Sequence, residues 1–144
     1  MNGSFSKQLT DNDLGLTGGN QVGVCVPRGN KELLEFLPKL NAEQENPSTI
    51  INFIDRDGEV WKLKYIYYNG KLTGNSTRNE YRITRMTKFF RKWNAKKGSA
   101  LVIAGTEKQG SYQIEIEGPA DAKSGLDEID GSKVITLKSW RKIH

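Results

Sequence analysis

The sequence predicts a mainly β domain, a barrel or sandwich of about seven short strands with two short helices. Three observations lead there. Most apolar runs are short and alternate with period two, only two segments carry helical spacing, and 144 residues suit a single domain with its own core.

Val22-Gly-Val-Cys-Val26 places Val22, Val24 and Val26 on one face, and Pro27 and Gly29 end the strand. Asn30 caps a helix over Lys31 to Leu37, whose Leu33, Phe36 and Leu37 share a stripe before Pro38 stops it. Ile50 to Ile54 and Val60 to Tyr68 form a hairpin across Asp55-Arg56-Asp57-Gly58. The second of these strands turns Trp61, Leu63, Tyr65 and Tyr67 to one side and Lys62 and Lys64 to the other. Asn69-Gly70 ends it in a turn, and residues 71–82, polar and without period, read as a long arm. Met86, Phe89, Phe90 and Trp93 follow at helical spacing, leaving Arg85, Lys88, Arg91 and Lys92 wet. Ala100 to Ala104 and Tyr112 to Ile116 are strands, a loop covers Gly118 to Asp127, and Lys133 to Leu137 is the last strand. The basic tail 138–144 has the character of the start of a linker, and the whole of 1–144 reads as one domain.

Composition excludes several classes. With Cys25 alone and one histidine, His144, at the end, Cys–His catalysis and zinc sites of the Cys/His type are out of reach. Cys25 is expected to be a small buried hydrophobe in a reducing compartment. No secretory signal or membrane-spanning run is present.

Charge is uneven. The net charge is +5, yet Arg78 to Lys97 holds eight basic residues and one acid, Glu80, for a local +7 against −2 elsewhere. A basic segment on a slightly acidic body predicts a surface for a polyanion.

Three candidate sites follow. The arm Gly74-Asn-Ser-Thr-Arg-Asn-Glu-Tyr-Arg82 mixes Arg, Asn and Glu, the side chains that pair with guanine, adenine and cytosine edges in a major groove. Leu16-Thr-Gly-Gly-Asn-Gln21 offers paired glycines that let backbone approach a phosphate, with Asn20 and Gln21 toward bases. It lacks the Lys-Ser/Thr of a nucleotide-binding P-loop. The third is a set of carboxylates for metal-dependent nuclease chemistry: Asp55, Asp57 and Glu59, or Asp121 with Lys123. Asp55 and Asp57 fit turn chemistry alone, and Asp121 lies in a loop with no strand to fix it. The aromatics Trp61, Tyr65, Tyr67, Phe89, Phe90 and Trp93 are expected in the core.

Two stretches carry a family resemblance. Lys7 to Gly29 (KQLTDNDLGLTGGNQVGVCVPRG), and Ile66-Tyr-Tyr-Asn-Gly70 with Thr77-Arg-Asn-Glu-Tyr-Arg-Ile-Thr-Arg85, resemble the N-terminal effector domain of EcoRII-like type IIE restriction endonucleases. The resemblance implies a seven-stranded open barrel, the DNA-binding pseudobarrel shared with plant B-three transcription-factor domains. It also implies two arms, about 7–21 and 71–82, that clamp the major groove of a CCWGG-like site. By position it places DNA contacts on Lys7, Asn20, Cys25, Ser76, Arg78, Glu80, Tyr81 and Arg82, and the arms add Thr17, Gly18, Gly19, Gln21, Lys71, Thr77 and Asn79. The chain departs from the family pattern where Asn20 stands for a His, Cys25 for a Tyr, and Ser76 and Tyr81 for lysines.

The expected partner is double-stranded DNA, with no membrane and no cofactor for binding. A catalytic nuclease domain, with the Mg2+ it needs, is expected elsewhere in a cytoplasmic bacterial parent chain. A stand-alone transcription regulator and a small metal-dependent nuclease remain the alternative classes.

Overall fold

The structure is a computed structural model and describes residues 3–15, 22–74, 77–118 and 140–143. Among them, eight strands join in one sheet: β1 (Ser4–Gln8), β2 (Gly23–Val26), β3 (Ser48–Ile54), β4 (Val60–Tyr68), β5 (Glu80–Thr84), β6 (Ala100–Gly105), β7 (Ser111–Glu117) and β8 (Trp140–Lys142). Their order is β2-β5-β4-β3-β7-β6-β1-β8. Neighbours are antiparallel except β3 and β7, which pair in parallel.

The sheet curls until its two edges meet. The Trp140 indole N–H on β8 donates to the Cys25 carbonyl on β2 at 2.8 Å, which makes an open barrel nearly closed. Inward residues follow the alternation of each strand: Phe5, Val24, Val26, Phe53, Tyr65, Ile83, Leu101, Ile103 and Tyr112 belong to one buried cluster.

Two short helices and one further helical turn complete the fold. In α1 (Lys31–Phe36) the Asn30 side chain accepts from Leu33 N–H at 3.1 Å, and Leu33 and Phe36 are buried. Phe36 packs against Phe5 and edge-on to Tyr112, whose hydroxyl donates to the Phe36 carbonyl at 2.6 Å. In α3 (Thr87–Lys92), Phe89 and Phe90 are buried, and Phe89 meets Trp61 of β4 edge to face. The turn α2 (Gly70–Thr73) ends at Gly74, whose φ of +82° suits glycine.

Several elements differ from the sequence reading. β1 lies where the first arm was expected to begin, and β5 takes residues 80–82 out of the second arm into the sheet. The strand expected at 133–137 lies outside the described residues. The barrel with two short helices stands, with eight strands among the described residues rather than seven.

Candidate nucleic-acid interface

The second arm leaves the barrel from the end of β4. There the buried Asn69 side chain accepts from Asn46 N–H at 2.8 Å and donates to the carbonyls of Ala42 and Gln44. This pins the 42–46 loop beneath the arm. The arm closes on itself through a backbone hydrogen bond from Lys71 N–H to Arg78 C=O at 2.9 Å. Its tip therefore lies between those residues, and Lys71 and Thr77 are exposed. From Glu80 the chain becomes β5, held between β2 and β4.

Strand geometry sorts the arm residues into two rows. Tyr81 and Ile83 face inward beside Val26 and Val24 of β2 and Tyr67 and Tyr65 of β4. Tyr81 stacks on Tyr67 with ring centroids 4.1 Å apart and planes within 5°. Asn79 accepts from the Tyr67 hydroxyl at 2.5 Å.

Glu80 and Arg82 face outward, with Cys25 opposite Arg82 on β2 and Tyr68 opposite Glu80 on β4. Arg78 reaches the same side: its guanidinium carbon lies 3.6 Å from the Tyr68 ring centroid, and Nη2 donates to Glu80 Oε1 at 2.6 Å. Arg82 Nη1 is 3.9 Å from the same oxygen, so one carboxylate sits between two guanidiniums. The Arg82 side chain is 11% exposed. Its Nη2 donates to Gly23 C=O at 3.3 Å, while its buried Nε has no acceptor among the described residues. Gly23 itself lies against the backbone of β5, where a Cβ would stand 2.0 Å from the Ile83 carbonyl oxygen.

Cys25 was expected to be buried. Instead it is half-buried and outward, because Val24 and Val26 take the inward positions. Burial raises its thiol pKa, nearby Glu80 raises it further, and Arg82 and Lys7 oppose them. The net shift is upward, which keeps the thiol neutral.

Lys7, expected on the binding surface, is 3% exposed. Its ammonium pairs with the buried Asp13 carboxylate at 2.5 Å. Asp13 also accepts from Thr10 N–H at 3.0 Å, and its backbone carbonyl accepts from Gly23 N–H at 3.1 Å. The lysine thus ties the first arm to β1 and β2, a role for which the sequence carried no signal. Thr17, Gly18, Gly19, Asn20, Gln21 and Ser76 lie outside the described residues.

The basic segment does not form one surface. Arg78 sits at the Tyr68 end of β4, whereas Lys92 of α3 bonds Asp55, Asp57 and Glu59 in the turn beyond Val60. Eight residue steps of strand, roughly 26 Å at about 3.3 Å each, separate the two ends. Arg85, Lys88, Arg91, Lys96 and Lys97 are exposed.

The carboxylates near the hairpin serve that packing. Asp55 is buried and accepts from Trp61 Nε1, Trp93 Nε1, Lys92 Nζ and the amides of Asp57 and Glu59, all between 2.8 and 3.1 Å. Burial alone would raise its pKa, but these donors outweigh it and hold the carboxyl well below the usual range. Among the described residues no cluster of three His, Cys, Asp or Glu has a metal-binding arrangement. Asp121 and Lys123 lie outside them.

Comparison with known proteins places the fold and the family. The chain is 42% identical over 84 residues to the type II restriction enzyme EcoRII of Escherichia coli, a match covering 56% of this chain and 20% of the relative. Its fold resembles that of the chain in the Arabidopsis FUS3–DNA complex, with a TM-score of 0.61, 21% identity, and coverage of 80% of this chain and 96% of that one. Residues 2–120 match the family described as restriction endonuclease EcoRII, N-terminal, and the chain belongs to that family.

Proposed function

We propose that the domain recognises duplex DNA by sequence, reading base edges in a major groove from the outer row of its second arm. The observation that carries this reading is the Arg78–Glu80–Arg82 array, two guanidiniums held about one carboxylate on the outer face of β5. A purely electrostatic surface has no use for a carboxylate at its centre. A base-reading surface does, because guanidinium forks pair with guanine O6 and N7 and a carboxylate accepts from a cytosine amino group. The first arm, with Thr17, Gly18, Gly19, Asn20 and Gln21, is the other half of the clamp, and Lys71, Ser76 and Thr77 meet the phosphate backbone. Asn79 and Tyr81 support the row from beneath, Cys25 lines its floor, and Lys7 acts through Asp13.

The target is a CCWGG-like site, as in the EcoRII family, and the domain serves as the effector part of a type IIE restriction endonuclease. Cleavage and the Mg2+ it uses belong to a catalytic domain elsewhere in a cytoplasmic parent protein. The experiment is fluorescence anisotropy with CCWGG duplexes and single-base variants at one salt concentration, repeated across salt. Expected are a clear preference for one sequence and an affinity that falls with salt at about −0.9 in log–log slope per phosphate contacted. Equal affinity for every duplex overturns the proposal. Incubation of the same chain with plasmid and Mg2+ is expected to leave the plasmid intact.

A further inference from the structure

We propose that Tyr68 is a positioning residue for base readout: its ring holds the Arg78 guanidinium in the plane from which that side chain engages a base. The inference rests on the reading of Arg78 as a base reader and concerns a residue outside both arms.

An arginine in solution has many rotamers, and binding a planar base edge through two N–H groups selects one of them. Here the selection is already made. The guanidinium carbon lies 3.6 Å from the Tyr68 centroid, which restrains the plane, and the bond to Glu80 Oε1 restrains rotation within it. Register places the ring there: Tyr68 pairs with Glu80 across β4 and β5, so both side chains rise from one face. Arg78, two residues before Glu80, completes the group. Tyr68 itself is fixed from below, because Asn69 is anchored to the 42–46 loop. The half-buried ring therefore orients a cation and is not spent on the core.

The test uses the intact chain with a duplex pool randomised across its centre, selected by binding and sequenced, together with affinity for a fixed nonspecific duplex. Tyr68→Leu is expected to weaken the preference at one base position on the order of fivefold, while nonspecific affinity stays within error. Tyr68→Phe, which keeps the ring face, retains the preference, and Tyr68→Trp retains or strengthens it. In an Arg78→Ala background, Tyr68→Leu adds nothing.

If Tyr68→Leu keeps the full preference while Arg78→Ala loses it, Tyr68 positions nothing and the reader stands. If Tyr68→Phe loses as much as Tyr68→Leu, the hydroxyl is the active part and the stacking role is wrong. An Arg78→Ala protein with unchanged preference removes the reader as well. Should Tyr68→Leu fail to fold, loss of preference in a folded Tyr68→Trp protein overturns the inference by itself.

Discussion

Replacing Asp55 by alanine tests the packing at the far end of β4. The carboxylate is buried and takes hydrogen bonds from two indoles, one ammonium and two backbone amides. Lys92 has Asp57 and Glu59 to fall back on, at 3.1 and 3.0 Å. The Trp61 and Trp93 indoles and the turn amides have no such substitute. Each of these bonds to a charged carboxylate is worth about 1.5–3 kcal/mol taken singly. Removing one partner of a buried charged network costs about 3–5 kcal/mol in all, so the variant should lose roughly 3–5 kcal/mol. For a domain of this size that is a fall in Tm on the order of 10–15 °C, readable by thermal melts and urea titration.

The pH dependence has a definite sign. Asp55 is held below its ordinary pKa, so its contribution is complete above the usual carboxylate range and disappears as pH falls through the folded value. Lys92 is raised, chiefly by its bond to Asp55, so its contribution is complete at neutral pH and disappears only above the ordinary lysine range. Wild-type stability should therefore drop in acid more steeply than that of Asp55→Asn. A loss under about 1 kcal/mol in Asp55→Ala, or identical acid profiles, refutes the packing role.

Other outcomes follow from the arm. Arg78→Ala and Arg82→Ala should each cost about 1–3 kcal/mol of discrimination in competition gel shifts, with Arg82→Ala also lowering Tm because its guanidinium is buried against Gly23. Glu80→Gln should lower affinity for the preferred duplex while nonspecific affinity holds or rises; parallel gains on both would mean that the acid only dilutes charge. Lys96→Ala should leave sequence preference intact, because Lys96 is exposed and lies outside both arms; a lost preference would contradict its exclusion from the readout. Gly23→Ala should destabilise the domain by about 1–3 kcal/mol or more in urea titration, since its Cβ meets backbone that has no room to yield.

Much of the barrel was legible from periodicity. β4 kept Leu63, Tyr65 and Tyr67 inward as its alternation required, and Asn30 and Pro38 bounded α1. β1 was not legible, because Ser4, Ser6 and Lys7 read as surface. They are buried only because β6 and β8 flank the strand and Asp13 neutralises the lysine, partners distant in sequence or unmarked by pattern. The same limit applies to Asp55, whose turn role was visible but whose contacts to Trp93 and Lys92 come from a helix more than thirty residues on.

The second arm shows how a local signal was present and misassigned. Residues 71–82 read as a polar loop because Glu80 and Arg82 are charged, yet Tyr81 and Ile83 alternate with them and continue a strand. Once that period is applied, the arm divides by parity. Arg78, Glu80 and Arg82 form the outer row, and Asn79 and Tyr81 form the inner one, where Asn79 takes the Tyr67 hydroxyl and Tyr81 stacks on the same ring. A loop would have left the outer residues free to reorient, at an entropic cost on binding. A strand locked between β2 and β4 sets their spacing in advance, and the stacked row of Tyr65, Tyr67 and Tyr81 beneath holds them in line, which is the preorganisation the proposed readout calls for.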